Sequence, residues 1–156
     1  MAWTNSKIFQ QTLLDALGNT MAMDLDTSAD IPKVALFDNT ITPSQTVASA
    51  STAYNAGVWN AGGVFDVTGW PAVGRPLVVT SGFSSNVYTF DSADTVSVNS
   101  TTTLTNAYGC LIYDDTLAAP VADQGLCYNY FGGANTVTSG TFTIVWNASG
   151  IAFLTL

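Results

Sequence analysis

From residue 40 onward, the chain is a succession of short apolar segments separated by turn-forming residues. The segments are rich in Val, Thr, Tyr and Phe, and Gly, Asn, Asp, Ser and Pro separate them. This spacing is typical of an all-β sandwich or barrel. The predicted strands are 63–67, 76–80, 86–90, 95–98, 107–113, 125–131, 141–146 and 151–156. No helix-length pattern interrupts them, so we predict a mainly β protein: an antiparallel, jelly-roll-like β-sandwich preceded by one short N-terminal α-helix.

The last two predicted strands carry the clearest local pattern. Alternation in the first of them places Phe142, Ile144 and Trp146 on one face, as in a strand with one buried side. The turn-forming residues 147–150 then lead directly into 151–156. We therefore predict that these two strands pair with each other as a hairpin that ends the chain.

Two segments near the start of the predicted sandwich differ in character. Pro32 opens the apolar run 33–37, which is short enough to be a buried strand. Residues 40–60 show little alternation and many small polar side chains, so they are predicted to form a long loop that carries Tyr54 and Trp59.

The N-terminal segment 5–17 has the pattern of an amphipathic helix. Its apolar residues recur at the spacing i, i+4, i+7 and i+8, which makes one stripe on a helix. They are Phe9, Leu13, Ala16 and Leu17. Asn5 or Ser6 is the predicted N-cap, and Gly18 is predicted to end the helix in a left-handed conformation.

An acidic connector, residues 21–30, follows the helix. Within it, Asp24 to Asp30 resembles the start of a calcium loop, because alternate oxygen ligands can converge on one hard cation. It lacks the central Gly and the closing Glu of an EF-hand, so we expect a solvated connector, with no metal and no other cofactor. The chain is predicted to be one domain, with the helix and connector over 1–30 and the sandwich over 31–156.

Composition limits the partners of this chain. Only 9% of residues are charged against about 25% in typical proteins, so the surface must be polar but weakly charged and suited to close contact between subunits. The net charge is −8 and the only basic residues are Lys7, Lys33 and Arg75, which excludes nucleic acid as a main partner. No apolar run approaches the roughly 18–20 residues of a membrane span, and the N-terminus lacks the pattern of a signal peptide.

The side chains that most enzymes use for catalysis are missing from the sequence. The chain contains no His, and therefore no Ser-His or Cys-His nucleophile pair. A glycosidase needs only two carboxylates, and the candidates in the β region are Asp66, Asp91, Asp94, Asp114 and Asp115. They have the setting of solvated turn residues, and we expect no enzymatic activity.

The two cysteines, Cys110 and Cys127, are expected to be small buried thiols. If residues 107–114 and 124–131 are antiparallel neighbours, the two could lie opposite each other, and a disulfide is geometrically possible. The sequence leaves this alternative open.

The order of segments resembles a family of small tailed-bacteriophage virion proteins, often described as capsid decoration proteins, that begin with a short helix and continue as a β-sandwich. The matching segments are 7–15, 31–37, 58–63, 88–94, 108–115, 130–133 and 139–146. The chain departs from the family pattern at 44–52 and 67–74.

The resemblance implies a non-enzymatic virion protein that binds the outer surface of the major capsid protein lattice. It would be made in the bacterial host cytoplasm and would sit on the capsid exterior as a homo-oligomer, with a trimer favoured. The residues expected to contact the capsid or another partner are Trp3, Phe9, Leu13, Tyr54, Trp59 and Trp70. The alternative is a tail or fibre module that binds a receptor or glycan, with Tyr54, Trp59 and Trp70 as stacking platforms.

Overall fold

The computed structural model describes residues 3–22, 24–25, 30–60 and 64–155. Antiparallel strands dominate, which confirms the predicted mainly β class. The strands are β1 (Lys7–Ile8), β2 (Pro32–Phe37), β3 (Arg75–Pro76), β4 (Gly82–Ser84), β5 (Val87–Phe90), β6 (Thr95–Val96), β7 (Thr102–Asp114), β8 (Gly125–Gly140), β9 (Thr143–Ile144) and β10 (Ala152–Thr155). The helices are α1 (Gln10–Leu17) and α2 (Ser49–Thr52), with a 3₁₀ turn at Gly57–Trp59. None of the helices described is long and apolar enough to cross a membrane.

A five-stranded sheet in the order β1-β8-β7-β2-β3 forms the centre of the fold. Its two longest strands, β7 and β8, pair as one antiparallel hairpin, and β2 pairs with β7 from Pro32 opposite Asp114 to Phe37 opposite Gly109. In β2, the residues from Val34 to Phe37 are all fully buried. The predicted buried strand is confirmed, and its continuous apolar run reflects a sheet that is covered on both faces.

Alternate residues of β2 belong to two different hydrophobic clusters. Val34 and Leu36 pack in a cluster that also contains Phe90 of β5 and Ile144 of β9. These strands belong to a three-stranded sheet, β10-β5-β4, and a two-stranded sheet, β6-β9. The central sheet and the two smaller sheets thus share one core in the manner of a β-sandwich.

The opposite face of the central sheet is covered by the N-terminal segment and by residues 40–60. Ala35 and Phe37 point into this second cluster and meet Trp3, Phe9 and Trp59. The predicted long loop is therefore an ordered layer that includes α2 and the 3₁₀ turn. This layer thus adds a four-residue helix, α2, to the predicted N-terminal helix.

The predicted helix 5–17 begins five residues late. Lys7 and Ile8 instead form β1, opposite Tyr128 and Cys127 of β8. Neither predicted N-cap is used, because Phe9 occupies that position without a side-chain cap. At the other end, Gly18 has a right-handed φ of −79°, and it is Asn19 that takes the positive φ of 56°.

The predicted terminal hairpin is wrong. β9 pairs with β6, where Ile144 lies opposite Thr95, and β10 pairs with β5, where Ala152 lies opposite Phe90. Each strand thus finds a partner about 50 to 60 residues earlier in the chain, which turn residues cannot indicate. The predicted direction of the side chains is confirmed, since Ile144 is buried and its neighbours at 143 and 145 are exposed.

Other predicted strands are longer or shorter than expected. The strands predicted at 107–113 and 125–131 extend into the full lengths of β7 and β8. The described part of the strand predicted at 63–67 makes only isolated bridges, such as Phe37 with Val64. Of the strand predicted at 76–80, only Pro76 lies in β3. Residues 26–29, 61–63 and 156 lie outside the described residues, and so does any expectation that falls on them.

Candidate binding surface

The predicted contact residues are mostly core residues. Trp3, Phe9, Tyr54, Trp59 and Trp70 are all buried. A buried side chain presents no surface to a partner, so the expectation that these five residues make capsid contacts, or act as glycan-stacking platforms, does not fit the structure. These residues are buried because the segments that carry them cover the central sheet.

The rings make specific contacts within that core. Trp3 meets Trp59 edge to face at a centroid distance of 5.9 Å, and Tyr54 stacks on Tyr113 at 4.8 Å. The Trp3 indole N–H also donates to the Asp38 carbonyl at 2.7 Å. Such aromatic pairs stabilise a fold beyond the area they bury. These contacts fix the N-terminal segment and the 40–60 layer on the sheet.

The sixth predicted contact residue, Leu13, lines an apolar groove between α1 and the sheet β10-β5-β4. The groove has a volume of about 270 Å³. We call it the α1–β10 groove; its principal walls are Leu13, Ala16 and Leu17 of α1, Tyr88 of β5, and Phe153 and Leu154 of β10. Among the residues described, none of those that line it is charged. The structure thus retains one member of the predicted contact set.

The walls of the α1–β10 groove are unusually open to solvent for apolar residues. The side chain of Leu17 is 84% exposed and that of Phe153 is 59% exposed. The apolar surface continues across the small sheet, where Phe83 of β4, Tyr88 and Leu154 lie opposite one another in register. Contiguous apolar surface of this kind is typical of an interaction site.

Two polar side chains of α1 beside the groove, Thr12 and Asp15, are bonded within the protein. The hydroxyl of Thr12 donates to the Gly125 carbonyl at 2.5 Å, and a buried network holds the other side of α1. In that network Asp15 accepts hydrogen bonds from Gln11, Ser49 and Gln124 at 2.7–2.9 Å. Burial would raise the pKa of the Asp15 carboxyl, but these bonds outweigh it and hold the pKa below its usual value. The helix wall is therefore fixed in place.

The carboxylates considered for catalysis have mostly local roles. Asp66, Asp91 and Asp94 each accept a backbone N–H, from Ala72, Ser92 and Trp146 respectively. Asp115 forms an ion pair with Lys33, with 2.6 Å between Oδ2 and Nζ. Asp114 differs because it is fully buried, and burial raises the pKa of its carboxyl although Thr116 donates to it. Among the residues described, no group of three or more His, Cys, Asp or Glu is placed to hold a metal ion.

The cysteines are buried free thiols on neighbouring strands. Cys127 lies opposite Ile112, and Cys110 lies opposite Asn129, so the two cysteines are displaced by two residues and do not face each other. Burial raises the pKa of Cys127 to about 12 and that of Cys110 well above its usual value. The expectation of two buried thiols is confirmed.

Comparisons with protein-family models, curated proteins and solved structures find no match to this chain. The α1–β10 groove therefore has to be interpreted from its own geometry. The sequence pattern identified one wall of it, the stripe of Leu13, Ala16 and Leu17, and Leu13 was among the residues expected to contact a partner. The opposite wall comes from residues 152–154, which lie in a segment that the sequence predicted only as a strand.

Proposed function

We propose that the protein is a virion structural protein that binds the outer surface of a phage capsid and decorates or cements the major capsid protein lattice. The resemblance of the segment order supports the virion, and the α1–β10 groove supports the binding. The single observation that carries the binding role is the exposure of Leu17 and Phe153 at a groove whose described lining residues are all uncharged. Full burial of such a side chain is favourable by about 1.5–3 kcal/mol.

The occupant we propose is an apolar segment of a capsid subunit. The groove volume of about 270 Å³ is below the roughly 300–1,000 Å³ of small-molecule pockets, and it suits a few inserted side chains. A sugar needs several polar partners, but the Thr12 hydroxyl is already committed to Gly125. This chemistry favours a protein partner over a glycan.

Because many copies of the protein would bind the same lattice, a modest affinity of each contact is sufficient for stable attachment. A protein that binds only the assembled lattice stabilises it by mass action, and an oligomer such as the proposed trimer multiplies the affinity of each contact. The low share of charged residues, 9%, is compatible with this close packing.

The test is to add the purified protein to capsids that lack it and to measure co-sedimentation and the capsid melting temperature. We expect the wild type to co-sediment and to raise the melting temperature. Leu17→Ser should weaken binding about tenfold or more, from the loss of burial of one leucine. Leu14→Ser is the matched control, because Leu14 lies on the same helix and is 62% exposed but does not line the groove.

Two outcomes contradict the proposal. If the wild type does not co-sediment, capsid decoration is wrong. If Leu14→Ser and Leu17→Ser weaken binding equally, the α1–β10 groove is not the contact. The tail or fibre alternative gains nothing from Tyr54, Trp59 and Trp70, which are buried, and binding to isolated tails in the same assay would revive it.

A further inference from the structure

We propose that the outer face of the two-stranded sheet β6-β9 is an interface between two copies of this chain, related by a two-fold axis. Val96, Val98 and Val145 form the centre of this surface, and Arg75 and Asp94 lie at its sides. We call it the valine face. It is separate from the α1–β10 groove, and it does not depend on the proposed capsid role.

The pairing of β6 with β9 brings the three valines to one side of the sheet. Thr95 of β6 lies opposite Ile144 of β9, and both side chains are buried. Side chains alternate between the two faces of a strand, so the residues next to these two point outward. The outward-pointing valines along the two strands and their extensions are Val96, Val98 and Val145.

These valines are open to solvent. Val145 is 72% exposed and Val98 is 61% exposed. Thr143, which lies opposite Val96, is exposed as well. Single exposed apolar residues are common on protein surfaces, but three on one face of a small sheet form a patch of the kind that contacts another protein.

One cation and one anion lie at the sides of the valine face. The Arg75 side chain donates its Nε–H to the Val96 carbonyl at 3.2 Å, so the guanidinium lies beside β6. The Asp94 carboxylate accepts the backbone N–H of Trp146 at 3.3 Å, so it lies next to Val145. Within the described part of the chain, neither Arg75 nor Asp94 has an ion-pair partner. Both charges are therefore available to a partner.

The charges favour a second copy of the chain as that partner. The protein has a net charge of −8 and only three basic residues, of which Lys33 is already paired with Asp115. A partner for the valine face has to bring an anion to Arg75 and a cation to Asp94. A two-fold axis through the face provides both, because each Arg75 then meets Asp94 of the partner subunit. The valines of the two copies pack on each other between the two ion pairs.

The size of the valine face sets the strength of the contact. One small sheet and its flanks take part, so the interface belongs at the small end of the range for protein complexes. We therefore expect a dimer that dissociates on dilution. The resemblance of the segment order implies a trimer, whereas an isologous contact of this kind closes as a dimer.

The test is sedimentation equilibrium of the full chain over a range of protein concentrations, without capsids. We expect the wild type to shift from monomer to dimer as the concentration rises. Arg75→Asp and Asp94→Arg should each weaken the dimer about tenfold or more, because each places like charges opposite each other. The double variant exchanges the two charges, so the ion pairs can form again and most of the wild-type affinity should return.

The two single variants also separate a direct contact from a general effect of net charge. Asp94→Arg makes the acidic chain less negative, so a general effect would strengthen association, whereas the ion pairs predict that it weakens. Lys7→Asp is the matched control for Arg75→Asp, since it makes the same reversal of charge. Lys7 lies on β1, at the opposite edge of the central sheet from Arg75 on β3. The Lys7→Asp variant should keep the dimer.

Val145→Lys tests the apolar centre and serves as the second variant if the charge variants do not fold. Its position is exposed, so the variant should keep the melting temperature of the monomer and lose the dimer.

The proposal is overturned if the wild type stays a monomer at every concentration or forms a trimer. It is also overturned if the double variant associates no better than the single variants, or if Lys7→Asp weakens the dimer as much as Arg75→Asp does. If Val145→Lys keeps the dimer and loses capsid binding, a capsid subunit covers the valine face and the proposal is wrong. A wild-type dimer that does not bind capsids would support this inference and contradict the proposed function alone.

Discussion

The indole of Trp3 lies directly against the backbone of Gly109 in β7. A Cβ at position 109 would come within 2.5 Å of Trp3 Cζ3 and equally close to the Asn129 carbonyl oxygen. Real Cβ atoms do not approach other atoms this closely, so a glycine is needed here. The N-terminal segment is therefore an integral part of the fold, and it is not a free arm that reaches towards a partner.

We expect Gly109→Ala to destabilise the protein by about 1–3 kcal/mol, because the new methyl group overpacks the Trp3 contact. Urea unfolding measures this. Gly133→Ala is the control, since Gly133 lies in the paired strand β8 and a Cβ there meets no atom within 4 Å. Equal stability of the two variants would show that Trp3 does not pack on β7.

Trp3→Ala should lower the free energy of unfolding by about 3–5 kcal/mol, since it removes a large buried ring and its hydrogen bond to Asp38. If Trp3 were instead an exposed capsid contact, the variant would unfold like the wild type and would lose only capsid binding. Denaturant unfolding and the co-sedimentation assay together separate these two results.

Asp15 should make stability fall at acid pH. Its pKa is lowered in the folded protein by hydrogen bonds that outweigh burial, so the stabilisation is complete above the unfolded pKa of about 3.9. It is lost as the pH falls through the lower folded value. At neutral pH, Asp15→Asn should cost about 1–3 kcal/mol, because its amide NH₂ faces donors such as Gln124.

The pH dependence distinguishes this network from a general effect of charge. Asp15→Asn should show a smaller loss of melting temperature between about pH 5 and pH 2 than the wild type does. Asp91→Asn, which removes a carboxylate that accepts the backbone N–H of Ser92, should follow the wild-type profile more closely. An identical acid profile for wild type and Asp15→Asn would contradict the assignment.

Both thiols should be unreactive in the native protein. Burial raises the pKa of Cys127 to about 12 and that of Cys110 well above its ordinary value, so the thiolate that reacts with alkylating agents is scarce at neutral pH. We expect no labelling by iodoacetamide in buffer and two labels per chain in denaturant. A native mass lower by about 2 Da, which signals a disulfide, or fast native labelling would be inconsistent with two buried thiols.

The parts of the fold that depend on local pattern were predictable. The apolar run after Pro32 identified β2, and alternation identified the buried face at Ile144. Long-range pairing was not predictable, since β1 exists only because Lys7 and Ile8 meet β8, and this contact replaces the first turns of the predicted helix. Tertiary pairing overrides helical periodicity in such a short segment.

The binding surface was only partly predictable, for a related reason. The sequence around an aromatic residue in a predicted loop is the same whether its side chain is exposed or packed under the loop. Tyr54 and Trp59 prove to be packed. The α1–β10 groove requires knowing that β10 pairs with β5 and lies beside α1. Neither strand order nor helix placement is encoded in the local pattern of either segment.

The most direct test of the proposed function is a cryo-electron microscopy reconstruction of the phage particle that contains this protein, compared with one that lacks it. We expect density for the β-sandwich on the outside of the capsid shell, with Leu17 and Phe153 facing a capsid subunit. Density along the tail, or no difference at the shell, would contradict capsid decoration.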